Sequence, residues 1–429
     1  MTRPATTISR RHLMALFGAA GAAGLAGCAG PGSTGGESQP TALATGAAKG
    51  EISFAHWRAE DKAAFDKLIA DFVAKFPEVS VTQDISPAND YQTQALNRLR
   101  DGAIGDAFPT FRGAQFQQFV KAGVYTDLSD QTELLSRYTP NLLDAGKADG
   151  KQWGLPYQIV LPMPVANSEL LADAGVDSAP QDWDGFLNMC DKLKSSGVVP
   201  LAWPGGEVGN AGQLLNSMVM NDAPSDDAFT QVEAGTMKIT DDWFIGVLKK
   251  YAELRPYFQD NAVGTAVEPT QQLFVSRKAA LLCTGSYHIG AVRQLGAKFD
   301  VELVPPITTS GKPKYVGTYN ATFILGVNSA SKAQPAALEW LKFLSDPANA
   351  GSYADTTVQH VSVADVDYTN ADLAKLAPWL DKKTMLAPRF QFNDLDIRNA
   401  VEGSCISVVG GTDPASAAKK AQSVIDQKV

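Results

Sequence analysis

Histidine and cysteine are scarce in this chain, four of each among 429 residues. His12, His56, His288 and His360 stand far apart, no two cysteines are closely spaced, and no His-Glu-x-x-His occurs, so no metal site is signalled. A Gly-x-Ser-x-Gly elbow and a Gly-x-x-x-x-Gly-Lys phosphate loop are also missing, which removes two common signatures of exported hydrolases and NTPases. Nothing in the chain calls for a cofactor. Basic residues form no block, and the formal net charge is −9, so nucleic acid is not an expected partner. Beyond the first thirty residues no apolar run reaches the roughly 20 residues a membrane helix needs.

What the N-terminus does contain is ordered. Arg10-Arg11 precede an uncharged run over residues 13–27, too short to span a bilayer and laid out as an export signal of twin-arginine type. Leu25-Ala-Gly-Cys28 resembles the lipobox of bacterial lipoproteins, which implies that residues 1–27 are removed and Cys28 is acylated. Residues 29–50, rich in Gly, Ser, Thr, Ala and Pro, read as a flexible tether. The expected location is the outer face of the cytoplasmic membrane, held by the lipid on Cys28. Losing Arg3, Arg10 and Arg11 makes the mature chain three charges more negative. Cys190, Cys283 and Cys405 then remain, enough for one disulfide or for three buried thiols.

Residues 51–429 are too many for one ordinary core and suit two lobes. Ile52 and Phe54 alternate as in a strand; Phe65, Leu68, Ile69, Phe72, Val73 and Phe76 then form one stripe of a helix stopped by Pro77. A strand at 79–81 and a helix near 90–101 complete a strand–helix–strand–helix order, which predicts a parallel sheet wrapped by helices. Further helices are expected from 182 to 194, around Trp243–Tyr251 and from 334 to 344, and strands at 278–283, 299–304 and 322–327.

Lys151-Gln-Trp-Gly-Leu-Pro-Tyr157 with Pro164-Val-Ala-Asn167, Ser178 to Leu187, Phe274 to Tyr287, and Leu341 to Tyr353 follow one another along the chain. Their order and spacing are similar to those of the sugar-binding proteins of bacterial ABC importers, the maltose-binding-like solute-binding family. The cleft turn departs from the family's usual Gly-Ser-Trp or Gly-Pro-Trp in having Gly285-Ser-Tyr287. The resemblance implies an α/β, two-lobe periplasmic-binding-protein fold (type II-like) with the ligand between lobes. Lobe 1 is expected from 51–158 and 318–346, lobe 2 from 159–312 and 347–429, with a hinge crossing at 313–317 and others near 158–163 and 346–352. It also implies a monomer that captures a mono- or oligosaccharide by closure, delivers it to an ABC permease, and catalyses nothing. Two alternatives stand beside it. One is an exported carbohydrate-active enzyme, whose paired carboxylates would assemble only in space. The other is a binding protein for a non-sugar solute such as a phosphorylated polyol, which would draw on Arg58, Arg112 and Arg389.

A sugar presents hydroxyls and C–H faces, so its pocket should mix aromatic with polar side chains on loops at strand ends. On the first lobe these are Trp57, Arg58 and Glu60 after the first strand, Phe111, Arg112 and Gln115, and Tyr157 with Gln158. On the second they are Trp203 and Glu207 in a Gly-rich turn, and Tyr287 with His288; Tyr319 with Asn320 lie at a crossing, and Arg389 in an irregular stretch. Trp153, Trp183, Trp243, Trp340 and Trp379 are expected to pack instead.

Overall fold

The structure, a computed structural model, describes residues 43–429 other than 101, 103, 179, 181, 306 and 308–312. The export signal, Cys28 and most of the tether lie outside the described residues.

Eleven strands build two sheets: β1 (Gly50–His56), β2 (Val79–Ile85), β3 (Ala107–Thr110), β4 (Leu155–Val160), β5 (Val165–Asn167), β6 (Val199–Ala202), β7 (Ala279–Leu282), β8 (Val301–Leu303), β9 (Gly317–Val327), β10 (His360–Val361) and β11 (Thr384–Leu386). The first sheet runs β10-β4-β9-β3-β1-β2, with β11 beside the start of β9. β1 is parallel to β2 and β3, whereas β9 is antiparallel to β3 and β4. The second sheet runs β8-β5-β7-β6.

The helical stripe after β1 folds as read. Helix Lys62–Lys75 buries Phe65, Leu68 and Phe72, and Pro77 follows its end. Phe65 meets Phe54 of β1 edge-on at 5.0 Å. Helix Trp183–Ser195 starts where Asp182 accepts the backbone N–H of Gly185 at 2.7 Å, a side-chain cap. Helix Gln334–Leu344 carries Trp340 into the first core, against Phe54 and Phe72. Cys190, Cys283 and Cys405 are free and buried. Among the described residues no helix is long and apolar enough to cross a membrane.

One expected boundary differs. Residues 347–386 go with the first sheet: helix Pro347–Thr357 packs on Lys62–Lys75, β10 pairs with β4, and β11 pairs with β9. Tyr353 makes the attachment specific, its hydroxyl donating to Asp61 at 2.5 Å. The third crossing between sheets is therefore at 387–394, not at 346–352. The three crossing segments lie side by side. The Thr318 hydroxyl donates to the carbonyl of Pro162 (3.0 Å), and the N–H of Ala387 to that of Tyr319 (2.9 Å).

Candidate ligand-binding cleft

Between the two sheets lies a cavity of about 570 Å³. Trp57, one residue past β1, stacks on Phe111 with ring centres 3.8 Å apart and planes 22° apart. Tyr91 and Phe323 back it at 5.2 and 4.9 Å. Phe323 takes a left-handed backbone (φ 52°) in mid-strand, a conformation that costs about 1–3 kcal/mol and is common beside functional sites. On β9, alternate residues Asn320 and Thr322 face the cavity, opposite Val160 and Gln158 of β4, which also line it.

Arg58 joins the two lobes. Its Nε and Nη2 donate to the Asp61 carboxylate at 2.8 and 3.0 Å, Nη1 lies 3.0 Å from Glu60, and both terminal nitrogens reach the Tyr287 carbonyl at 3.4 and 3.5 Å. Gln359 donates to the same carbonyl at 3.1 Å. Burial alone would weaken Arg58's hold on its proton, but Asp61 and Glu60 reverse this and keep the guanidinium firmly charged. Gln158 is drawn into the same network through Tyr353.

Tyr287 sits on the turn after β7. Gly285 permits that turn, because a Cβ there would fall 2.5 Å from the Tyr287 ring. The Tyr287 ring faces that of His288 at 4.5 Å and lines the cavity. His288 is held by the Thr284 hydroxyl at 3.0 Å, and burial, with Arg58 nearby, brings its pKa down to about 3, so the ring is neutral. Across from it, Glu207 accepts from Asn210 at 2.5 Å. Arg389 reaches the cavity from the third crossing while bound to buried Glu402 at 2.6 and 2.9 Å.

Trp57, Arg58, Glu60, Phe111, Gln158, Glu207, Tyr287, His288, Asn320 and Arg389 thus line one cavity. Five other residues read as ligand contacts are placed elsewhere. Trp203 is fully buried against Phe258, its indole N–H donating to the carbonyl of Ala211 at 3.0 Å. Tyr157 is also fully buried and donates to the Leu344 carbonyl at 3.1 Å. Gln115 spends both ends of its amide inside the fold, on the Phe111 N–H (2.9 Å) and the Tyr91 carbonyl (3.1 Å). Arg112 lies near Tyr319, and neither is part of the lining. Trp153, Trp183, Trp243, Trp340 and Trp379 do not line the cavity.

Sequence reading missed Ser86 and Asn89 after β2, Gln92, Gln213, and the pair Glu268 and Gln271 on helix Val267–Val275. Ser86 was within reach of the argument that found Trp57, since both follow the end of a strand. Glu268 and Gln271 gave no such signal, because they belong to what reads as an ordinary surface helix.

The lining leaves polar atoms without partners. Asn320 is 1% exposed, yet among the described residues neither Oδ1 nor Nδ2 has a hydrogen bond, and the hydroxyls of Tyr287 and Thr322 are likewise unmatched. Buried polar groups are normally satisfied, so these are poised for groups brought by a ligand. Among the described residues no cluster of three or more His, Cys, Asp or Glu could hold a metal ion.

The family model for bacterial extracellular solute-binding proteins matches residues 56–351. The diacetylchitobiose-binding protein DasA of Streptomyces coelicolor is 25% identical over 381 residues, covering 84% of this chain and 85% of that protein. The multiple sugar-binding protein of Streptococcus mutans is 21% identical over 327 residues, 73% of this chain and 76% of the other. A solved chitin oligosaccharide binding protein superposes with a TM-score of 0.78 at 23% identity, covering 89% of this chain and 99% of that one, a likeness of fold.

Proposed function

We propose, from the premise that this chain belongs to the bacterial extracellular solute-binding protein family, that it captures a carbohydrate between its lobes and passes it to the permease of an ABC importer. One observation carries the reading. The cavity sets a stacked aromatic pair, Trp57 on Phe111, beside unmatched amide and hydroxyl groups of Asn320, Tyr287 and Thr322. An aromatic face suits the C–H side of a sugar ring, and unmatched donors and acceptors suit its hydroxyls. The names of the sugar-binding relatives support the same class. The family is one of binding proteins, and the proposed role requires no catalysis. Of the fifteen residues read from the sequence as ligand contacts, the proposed contacts are the ten that line the cavity.

Thermal unfolding of the purified protein with a panel of mono- and oligosaccharides tests this. A ligand at 100 times its Kd adds about 2.7 kcal/mol to the folded state, a readily visible rise in Tm. The rise is expected with one sugar class and absent in Trp57→Ala; no rise with any saccharide would discard the reading.

The proposal extends to the N-terminus: cleavage before Cys28, acylation of its thiol, and a monomer tethered at the outer face of the cytoplasmic membrane. Labelling cells with a fatty-acid analogue should mark the wild-type chain and leave Cys28→Ser unmarked. Equal labelling of both would remove the anchor.

A further inference from the structure

The charges around the cavity do not balance. Its two arginines are already engaged by buried carboxylates, Arg58 by Asp61 and Arg389 by Glu402. Arg398, behind Arg389, shares Glu402 at 3.9 Å. Three more carboxylates, Glu60, Glu207 and Glu268, line the cavity itself, and among the described residues no lysine does. Glu60 has part of Arg58 at 3.0 Å, while among the described residues neither Glu207 nor Glu268 has an ion-pair partner. Three guanidinium groups therefore face five carboxylates. The N-termini of helices Ala88–Leu99 and Val267–Val275, which also border the cavity, contribute about half a positive charge each, together too little to close the gap.

Like charges also line the cavity from both lobes. Glu60 comes from the first lobe and Glu268 from the second. Burial pushes the Glu60 carboxyl up; Arg58 opposes that, while Asp61 and Glu268 add to it. Bringing the lobes together on a neutral ligand leaves this repulsion in place, whereas a cation between the carboxylates relieves it. That the space is built for a ligand is indicated independently by Asn320, buried and with both amide atoms unmatched on the same cavity wall.

We infer that the cleft selects saccharides by charge: a sugar carrying a protonated amino group binds more tightly than its hydroxyl or acetamido counterpart, and a sugar carrying a carboxylate or phosphate binds most weakly. This deepens the carbohydrate reading and rests on it. A hydrogen bond to a charged partner is worth roughly twice a neutral one, so the amino sugar should gain about tenfold in affinity over the matched neutral sugar. An acidic sugar meets arginine forks that are already filled, and should lose about tenfold or more.

The test is calorimetric titration of the purified protein near pH 7 with matched series. Hexoses, their 2-amino and 2-acetamido derivatives and their uronic acids are compared in gluco and galacto forms, as monosaccharides and as β-1,4-linked dimers. The expected order is amino above neutral above acidic. Added salt should erode the amino-sugar affinity and leave the neutral one nearly unchanged. In Glu60→Gln/Glu268→Gln the amino preference should fall towards unity; should that variant misfold, the salt series on the wild-type protein reads the same interaction. Neutral or acidic members binding as tightly as amino ones would overturn the inference while leaving the carbohydrate reading intact. Binding by no member of any series would overturn both.

Discussion

Asp61→Ala should destabilise the protein by about 3–5 kcal/mol, the usual cost of removing one partner from a buried ion pair. Asp61 is 1% exposed and accepts four hydrogen-bond donors from three elements: two from Arg58, the Tyr353 hydroxyl and the Gln158 amide. Without it Arg58 keeps only partly buried Glu60 and the distant Tyr287 carbonyl, too little to solvate a guanidinium that remains inside the fold. Urea unfolding provides the measurement, with a lowered midpoint and an unchanged slope expected. Asp61→Asn retains an acceptor for Tyr353 and should lose less. A loss below about 1 kcal/mol in the alanine variant would mean that water reaches Arg58 and the pair is not buried in solution.

The second large effect is acid sensitivity through three histidines. His56 lies on β1 with Nε2 2.9 Å from the Gln83 amide oxygen and its ring about 5 Å from those of Phe54 and Phe65. His360 donates Nε2–H to the Leu373 carbonyl at 3.1 Å. Burial brings the pKa of each down to about 4, and that of His288 to about 3. In the unfolded chain all three titrate near 6.5. Above that pH neither state is protonated at these sites and their neutral burial costs nothing extra. Between about 6.5 and 4 the unfolded chain takes up protons that the folded one refuses, so stability falls as the pH falls. With three sites the slope approaches about 4 kcal/mol per pH unit at its steepest. Tm measured from pH 8 to 4 should drop steeply below 6.5, and His360→Gln should remove about a third of the drop. An unaltered profile in that variant would take His360 out of the acid sensitivity.

How much of this was legible beforehand depended on how local the cause was. The helix carrying Phe65, Leu68 and Phe72, and the helix Gln334–Leu344, have their cause in their own periodicity. So does the step from strand to cleft at Trp57, since loops at strand ends are where α/β folds gather ligands. The placement of residues 347–386 was not legible, because it rests on a two-residue strand pairing and on Tyr353 finding Asp61, 292 positions away. Trp203 misled for a similar reason. A Gly-rich turn with an aromatic reads as exposed, and only Gln259, which brackets its backbone from 56 residues on, shows that it is folded inward. The left-handed Phe323 has no counterpart in composition at all, since a phenylalanine in an apolar run predicts plain extended strand.

The three crossing segments have a mechanical consequence. Pro162, Thr318-Tyr319 and Ala387 are stitched abreast by hydrogen bonds of 3.0 and 2.9 Å, forming a narrow ribbon rather than three independent cords. Such a ribbon bends readily across its thin dimension, but in-plane shear or twisting breaks its cross-links. It acts as a leaf spring with one soft direction. A single distance between probes on the two lobes would then suffice as a reaction coordinate, and any two such distances should change in fixed proportion.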